Sequence, residues 1–239
     1  MKWSTDFTVR YHDTDANEIV SPSFIFKLLQ ETAMCQMKAQ RPSYRELLNQ
    51  NKSFVISGIR VEMYEPLTHG EVITVSTWGC EPRGFSFPRS YSIERDGEIV
   101  CEANSTWALV DTREKKLVRS SDVELNYYTD KPNELSNPVR FRIPPELNLS
   151  LVGEYTIRYS DTDVNGHMNN TNYPDMLLNA MPSPGNKLIK SIAISYQSEA
   201  KVGDCLKIYM GRMDGKYYLR SVHEDGKVNI EAEIIAESL

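Results

Sequence analysis

One short segment of the chain concentrates side chains that can hold or move a proton. It reads Asp161-Thr-Asp163-Val-Asn165-Gly-His167, and Glu199 follows further along the chain. An imidazole beside a carboxylate can act as a general base, because the carboxylate fixes the tautomer of the ring. Asn165 cannot move a proton, so it must orient a water or donate a hydrogen bond. These residue types favour a reaction in which an activated water is the attacking group.

The same segment has a counterpart near the start of the chain. Residues 7–17 read FTVRYHDTDAN and residues 155–165 read YTIRYSDTDVN, with seven of the eleven positions identical. Residues 66–72 then match residues 199–205 in the same order, at an offset that is 15 residues smaller. The chain therefore contains two copies of one unit. The first copy has 15 additional residues near Gln40, which lengthen its helical region.

The two copies differ at the positions with the strongest acid–base chemistry. His167 aligns with Ile19, and Glu199 aligns with Pro66. A structural role in the shared fold cannot require either titratable group, because the first copy has neither. This difference favours a chemical role for His167 and Glu199 in the second copy.

Asp163 and Asn165 are shared by both copies, since Asp15 and Asn17 stand at the equivalent positions. Short polar side chains of this kind also form turns by accepting hydrogen bonds from their own backbone. For these two residues a turn-forming role therefore remains an alternative to a catalytic one.

The motif Asp-x-Asn-x-His-x-Asn-Asn after a strand, within a duplicated chain, resembles the acyl-acyl carrier protein (acyl-ACP) thioesterases. The matching segment runs from Arg158 to Tyr173, and the resemblance covers essentially the whole chain, including a Tyr-x-x-Glu before a later strand. It implies a bacterial member similar to the plant enzymes, which releases free fatty acid and ACP from fatty acyl-ACP. By this resemblance the catalytic residues are Asp163, Asn165, His167 and Glu199.

The chain departs from the family pattern directly after the glutamate. Many plant members have a cysteine there, whereas this chain has Ala200, and Cys205 lies in the next predicted strand. A covalent cysteine mechanism is therefore disfavoured, and the resemblance implies direct attack by water. The backbone N–H groups of the helix that follows Asn169 are candidate donors to the oxyanion. Whether His167 or Glu199 takes the proton is left open by the sequence.

The composition excludes several other classes of protein. The 239 residues are 40% hydrophobic and 25% charged, which is typical of a globular protein. A net charge of −6 argues against a nucleic-acid-binding protein that works through a basic face. The sequence contains no apolar run long enough to cross a membrane, no apparent signal peptide and four well-separated cysteines. We therefore expect a cytoplasmic protein with free thiols, and the sequence predicts no cofactor and no metal.

Hydrophobic periodicity predicts the same order of elements in each copy: one strand, one helix and then a run of strands. In the first copy the predictions are a strand at 7–11, a helix from 22 to about 40, and strands at 53–64, 71–80, 85–95 and 99–111. In the second copy they are a strand at 155–160, a helix from about 170 to 180, and strands at 187–197, 205–212, 216–224 and 227–236.

This order of elements predicts an α+β fold, and it resembles a tandem double hotdog in which each antiparallel sheet wraps around one long helix. We expect an N-terminal unit at residues 1–128, a proline-rich linker at 129–153 and a C-terminal catalytic unit at 154–239. Because the first copy lacks the catalytic pair and has the longer helix, we expect it to hold the acyl chain. The candidate pocket residues on that helix are Phe24, Phe26, Leu28, Met34 and Met37.

The implied partner is an ACP that carries the substrate on its phosphopantetheine arm, with no nucleic acid or membrane partner, and the chain is expected to be a monomer or a homodimer. The basic residues that are candidates to contact the ACP are Lys38, Arg41, Arg45, Lys187, Lys190 and Lys201. Three alternatives remain: an acyl-CoA thioesterase, another hotdog enzyme such as a dehydratase, and a non-catalytic acyl-binding protein. Asp161 also begins a calcium-loop pattern, but Asn172 replaces the glutamate that such a loop needs.

Overall fold

The computed structural model describes residues 2–125 and 130–238. The α-helices in these residues are α1 (Pro22–Ala39), α2 (Tyr44–Asn49) and α3 (Tyr173–Ala180). The strands, in chain order, are β1 (Trp3–Thr8), β2 (Lys52–Met63), β3 (Val72–Gly79), β4 (Phe87–Arg95), β5 (Glu98–Asp111), β6 (Lys116–Val118), β7 (Ser150–Thr156), β8 (Lys187–Tyr196), β9 (Cys205–Met213), β10 (Lys216–Val222) and β11 (Val228–Ser238).

All of these strands belong to one antiparallel sheet. Its order is β1-β3-β4-β5-β2-β8-β11-β10-β9-β7, with β6 paired to β5. The first copy supplies β1–β6 and the second supplies β7–β11, so the two copies meet where β2 pairs with β8. The register at this seam runs from Gly58 opposite Ser195 to Glu62 opposite Ser191. The two units are therefore joined edge to edge.

The helices pack on one face of the sheet and form the core there. Helix α1 begins where the Ser21 hydroxyl accepts a hydrogen bond from the N–H of Phe24, with Pro22 at the first helical position. Its buried face includes Ile25 and Leu29, which pack in the same cluster as the core residues of both units. This 18-residue helix positions the first unit's side of the site.

Helix α3 is much shorter, with eight residues preceded by a 3₁₀ turn at Asn170–Asn172. It ends before Pro182, and a residue that precedes proline is pushed out of the helical region, so Met181 takes an extended ψ of 149°. The predicted bounds of this helix are close, but the second unit packs a short helix and not a long one on its sheet.

The first strand of each copy begins and ends earlier than the sequence indicated. β1 ends at Thr8 and β7 at Thr156, and each is followed by a 3₁₀ turn. The physical reason lies in two equivalent carboxylates: Asp13 accepts a hydrogen bond from the N–H of Arg10 at 2.8 Å, and Asp161 does the same for Arg158. These contacts bend the backbone where apolar–polar alternation alone predicts more strand.

Residues 130–149 contain no helix or strand and run across the face of the sheet opposite the helices. On β2, Arg60 and Glu62 alternate with the core residues Ile59 and Val61 and so point to that opposite face. Arg60 donates to the carbonyl of Pro138 at 2.6 Å, and Glu62 accepts from two backbone N–H groups of this segment. Residues 150–153, which the sequence placed in the linker, form the start of β7, and Thr129 lies outside the described residues.

Candidate active site

The loop between β7 and α3 is held by a repeated set of backbone hydrogen bonds. The N–H of Asp163 donates to the carbonyl of His167 at 2.9 Å, and the N–H of Met168 donates to the carbonyl of Ala200 at 2.8 Å. The first copy has the same two bonds at the equivalent positions, from Asp15 to Ile19 and from Val20 to Leu67. The backbone that presents residue 167 is therefore a property of the duplicated unit.

His167 and Glu199 meet at the surface of the second unit. Nε2 of His167 lies 3.2 Å from Oε2 of Glu199, and the two side chains are 27% and 66% exposed. The imidazole is thus half sheltered, while the carboxylate has access to water. A ring proton on Nε2 that faces the carboxylate leaves the lone pair on Nδ1, which is the arrangement that a general base requires.

Asp163 and Asn165 form a compact turn beside this pair. Oδ1 of Asp163 accepts a hydrogen bond from the backbone N–H of Asn165 at 2.8 Å, and its Oδ2 accepts from the Asn165 side-chain amide at 3.2 Å. Asp15 forms the same backbone contact with Asn17, so this part of the geometry belongs to both copies. The amide of Asn17, however, donates to the carbonyl of Gly185 instead. Only in the second copy does the aspartate hold the asparagine side chain.

A cavity of about 160 Å³ opens beside Asp163 and Asn165 and extends into the first unit. Its walls are the C-terminal half of α1, the start of α2 and the inner face of the first unit's strands. The lining residues are Gln30, Ala33, Met34, Met37, Tyr44, Phe54, Gly79, Phe87, Pro88, Arg89, Trp107, Asp163, Asn165 and Asn170. Asp163 and Asn165 of one unit therefore line a largely apolar pocket in the other, whereas His167 and Glu199 are not among its lining residues.

The sequence identified part of this lining. Met34 and Met37 face the cavity, whereas Phe26 and Leu28 are buried in the main core cluster. Phe24 is partly buried and packs against that same cluster. Helical periodicity cannot separate pocket residues from core residues, because both lie on the apolar face. Tyr44 comes from the insertion in the first copy, so the extra residues contribute a wall of the pocket.

The turn that leads into α3 has one backbone N–H without an acceptor among the described residues, at Asn170. The Asn169 side chain accepts from the N–H of Thr171 at 3.0 Å, and the N–H of Asn172 donates to the carbonyl of Asn169 at 2.9 Å. Two of the predicted oxyanion donors are therefore already used. Asn170 lines the cavity, and among the described residues its N–H has no acceptor.

The equivalent region of the first copy is a small cavity of about 40 Å³ with different chemistry. Ile19 and Pro66 stand there in place of His167 and Glu199, and both line that cavity together with Ile25 and Met63. Lys187 and Lys190 also line this small cavity. These two predicted ACP contacts therefore lie beside the first copy's cavity and not beside the pocket at Asp163.

The four cysteines are free thiols, and none of them lines the cavity at Asp163. Burial raises the pKa of the Cys35, Cys80 and Cys101 thiols, and for Cys35 the nearby Glu31 adds to the effect. Cys205 lies on β9 with its sulfur 4.0 Å from Glu154. This arrangement agrees with a site that does not use a thiol nucleophile.

Within residues 2–125 and 130–238, no group of three or more His, Cys, Asp and Glu side chains is placed to hold a metal ion. Nor does any helix in this part of the chain have the length and apolar character needed to cross a membrane.

A continuous antiparallel sheet, composed of two similar units with a helix of each unit on one face, defines a double hotdog. The family model for the acyl-ACP thioesterase N-terminal domain matches residues 1–128, and that for the C-terminal domain matches residues 146–238. The chain belongs to the acyl-ACP thioesterase family.

Individual proteins agree with this assignment. The chain is 25% identical over 232 residues to oleoyl-acyl carrier protein thioesterase 1 of Arabidopsis thaliana, covering 85% of this chain and 62% of that protein. It is 24% identical over 191 residues to a palmitoyl-acyl carrier protein thioesterase of Cuphea hookeriana, covering 74% and 46%. The chain spans about half the length of the first curated relatives it matches.

Solved structures show the same fold. An acyl-ACP thioesterase from Bacteroides thetaiotaomicron superposes with a TM-score of 0.90 at 21% identity, over 99% of this chain and 98% of that one. The 12:0-ACP thioesterase from Umbellularia californica gives a TM-score of 0.82 at 16% identity, over 100% and 98%. The double hotdog predicted from the sequence is confirmed.

Proposed function

We propose that this protein hydrolyses the thioester of fatty acyl-ACP and releases free fatty acid and ACP. The observation that carries this proposal is the 3.2 Å contact between His167 and Glu199, in a chain of this family. His167 belongs to the same loop as Asp163 and Asn165, which line an apolar pocket. The pocket accepts the acyl chain, and the exposed side of the pair admits water and the phosphopantetheine arm.

In the proposed reaction His167 is the general base. Glu199 holds the Nε2 proton, and Nδ1 removes a proton from a water as the water oxygen bonds to the thioester carbon. The resulting oxyanion accepts a hydrogen bond from the N–H of Asn170, and Asn165 orients the water. The C–S bond then breaks, and the imidazolium returns its proton to the departing thiolate. Asp163 contributes by holding the Asn165 amide.

The position of the pocket also supports different roles for the two units. We propose that the first unit, through Met34, Met37 and the aromatic residues of the pocket, holds the tail, while the second unit performs the chemistry. An apolar cavity of about 150 Å³ holds a group the size of benzene. The observed pocket has a similar volume, so longer chains require Met34 and Met37, which are flexible side chains, to move.

ACP recognition is proposed for a subset of the basic residues. Lys38 and Arg45 are exposed near the C-terminal end of α1, and Lys201 pairs through its backbone with His167 at the site. Lys190 is less suited, because its ammonium group donates to the carbonyl of Tyr64 at 2.9 Å. Arg41 is exposed but lies 3.8 Å from Glu46, which partly compensates its charge.

The test is a comparison of carriers and chain lengths. Purified protein is incubated with acyl-ACPs of several chain lengths and with the matching acyl-CoAs, and free fatty acid and free thiol are measured. We expect release from acyl-ACP, with equal amounts of acid and thiol. Equal efficiency on acyl-CoA would instead favour an acyl-CoA thioesterase, and hydration of a crotonyl thioester without thiol release would favour a dehydratase. Binding without release of either product would leave a non-catalytic acyl-binding protein.

A further inference from the structure

Asn229 is a polar residue in the interior of the second unit. It lies on β11 and has no solvent exposure. Its side-chain amide donates to the carbonyl of Ser198 at 2.6 Å and to the hydroxyl of Tyr173 at 3.1 Å, and its Oδ1 accepts from the Ser221 hydroxyl at 2.9 Å. Both N–H groups and the oxygen of this amide therefore have defined partners.

Two of those partners flank the site. Ser198 directly precedes Glu199, and Tyr173 begins the helix that follows the loop with His167. One buried amide thus connects the segment that carries the carboxylate with the segment that carries the imidazole. Burial and the nearby carboxylates of Asp204 and Glu199 raise the pKa of Tyr173 to about 12, so its hydroxyl stays neutral as a partner of Asn229.

The first copy shows what the fold itself requires at these positions. Val100 stands where Asn229 does, and Ile25 stands where Tyr173 does. The backbone contacts are nevertheless the same: the carbonyl of Val100 accepts from two N–H groups of the chain after β2, as the carbonyl of Asn229 does from the chain after β8. An apolar pair therefore suffices for the architecture, and the amide–hydroxyl pair occurs only beside the His–Glu pair.

A buried polar group must keep its hydrogen bonds, because an unpaired one is costly, so it fixes its neighbours in one arrangement. Glu199 needs such support because it is 66% exposed, and the surroundings of its own side chain constrain it little. From these contacts we propose that Asn229, with Tyr173, is a positioning residue that holds the backbone at Ser198 so that Glu199 stays within reach of His167. This role deepens the proposed hydrolysis and rests on it.

A neighbouring cluster has a different explanation. The Ser198 hydroxyl lies 3.1 Å from Nε2 of His223, and Nδ1 of that histidine lies 3.8 Å from Asp204, which has the order of a nucleophile, a base and an acid. The hydroxyl, however, is also 2.8 Å from the carbonyl of Val228, so its proton has a second acceptor besides the imidazole. We therefore interpret the cluster as a second brace on the same segment.

The decisive variant is Asn229→Val, which introduces the residue of the first copy. Asn104→Val is the matched control, because Asn104 is also a strand amide with defined partners, Ser90 and the carbonyl of Asn133, but lies in the first unit away from the pair. We expect Asn229→Val to fold, with kcat lowered about 10- to 100-fold and KM nearly unchanged, since a small misplacement of a catalytic group has an effect of this size. The control should retain the kcat of the parent protein.

Testing Asn229→Val in a protein that already has Glu199→Gln distinguishes positioning of Glu199 from a general structural role. In a Glu199→Gln protein the carboxylate is already absent, so adding Asn229→Val should lower kcat no further. An equal further loss in that background, or a kcat of the single variant within twofold of the parent, would overturn the assignment. If Asn229→Val fails to fold, Tyr173→Phe removes only the hydroxyl and should lower kcat in the same selective way; an unchanged kcat for Tyr173→Phe would likewise overturn it.

The contact can also be followed without turnover. The NMR signals of the His167 ring nitrogens report the neighbouring carboxylate, and they should shift in Asn229→Val toward their positions in Glu199→Gln. Unchanged signals would contradict the positioning role even if the protein hydrolysed no thioester. Failure of the proposed hydrolysis would be recognised separately, as absence of product from the unsubstituted protein.

Discussion

His167 and Ile19 stand at equivalent positions with the same backbone hydrogen bonds but different side chains. The first copy therefore shows that an apolar side chain is compatible with this backbone. We expect His167→Ile to lower kcat by roughly 10²–10⁴-fold, the contribution of general base catalysis. The melting temperature should change by only a few degrees, because Ile is accepted at this position in the sister copy and His167 makes no buried contact with another charge.

Thermal unfolding and product release from acyl-ACP measure the two effects separately. A large loss of stability would mean that His167 is a structural residue. Ala in place of His167 offers a second variant, and it should lose activity to the same extent if the imidazole, and not the shape of the side chain, is what matters.

The thiols should be dispensable. Burial raises the pKa of Cys35 and Cys80, so each has less reactive thiolate at neutral pH than a free cysteine does. Alkylation at neutral pH should therefore be slow for these two residues and should leave turnover largely unchanged. Mass spectrometry identifies the labelled residues. Loss of turnover in folded protein labelled at Cys205 or Cys35 would contradict attack by water and favour a covalent step.

Comparison of the two copies predicts a chemical role for His167 and Glu199, but it does not predict the residues proposed to support them. His167 and Glu199 stood out because a titratable group replaces an apolar residue or a proline. The same comparison places Asn229 opposite Val100, a polar residue in place of an apolar one. The sequence alone does not indicate a role for Asn229, because an asparagine within a strand has no recognisable motif and its partners are distant in sequence.

Among the elements, we expect α1 to determine which acyl chain fits, because it supplies Met34 and Met37 to the pocket. Met34 and Met37 lie one turn apart and both line the pocket. Each buried methylene contributes about 0.8 kcal/mol, a factor of about four in preference. We therefore expect Met34→Ala to shift the product profile toward longer acids and Met34→Trp toward shorter ones, with hydrolysis retained.

The profile of released acids, measured with a mixture of acyl-ACPs, tests this expectation. Met210, on β9 of the second unit, is a matched control whose substitution by Ala should leave the profile unchanged. A profile that responds to Met210 and not to Met34 would place the acyl tail in the second unit.

Most elements could be predicted from the sequence, because a sheet with one buried face imposes alternation along each strand. The differences lie where side chains override that pattern. Asp13 and Asp161 accept hydrogen bonds from backbone N–H groups, and these bonds end the first strand of each copy early. Pro182 ends α3. The pocket could be assigned to the first unit because of its longer helix, but the inward position of Tyr44 could not, since the insertion has no counterpart to compare.

At the scale of the whole molecule the net charge is −6, so attraction to an acidic carrier protein must come from local positive groups. Charge reversal of both Lys38 and Arg45 to Glu should raise KM for acyl-ACP, leave kcat nearly unchanged and barely affect acyl-CoA hydrolysis. The effect should weaken as salt is added, since exposed charges are screened over about 8 Å at physiological ionic strength.

Arg142→Glu provides the control for this reversal, because Arg142 is exposed on the segment that crosses the opposite face of the sheet. Steady-state kinetics at two salt concentrations measure all of these variants. If KM for acyl-ACP rises as much with Arg142→Glu as with the paired reversal, the carrier does not dock beside α1.

The pairing of β2 with β8 joins the two units into one continuous sheet, so they are not independent domains on a linker. Five residue pairs join them there, and the Arg60–Glu233 ion pair, at 2.7 Å and almost fully buried, crosses the same boundary. These contacts hold the two halves together in addition to the covalent connection between them. Two polypeptides divided near residue 145, and produced together in one cell, should consequently find each other and reconstitute a working enzyme, whereas either one alone would have an open sheet edge and should aggregate.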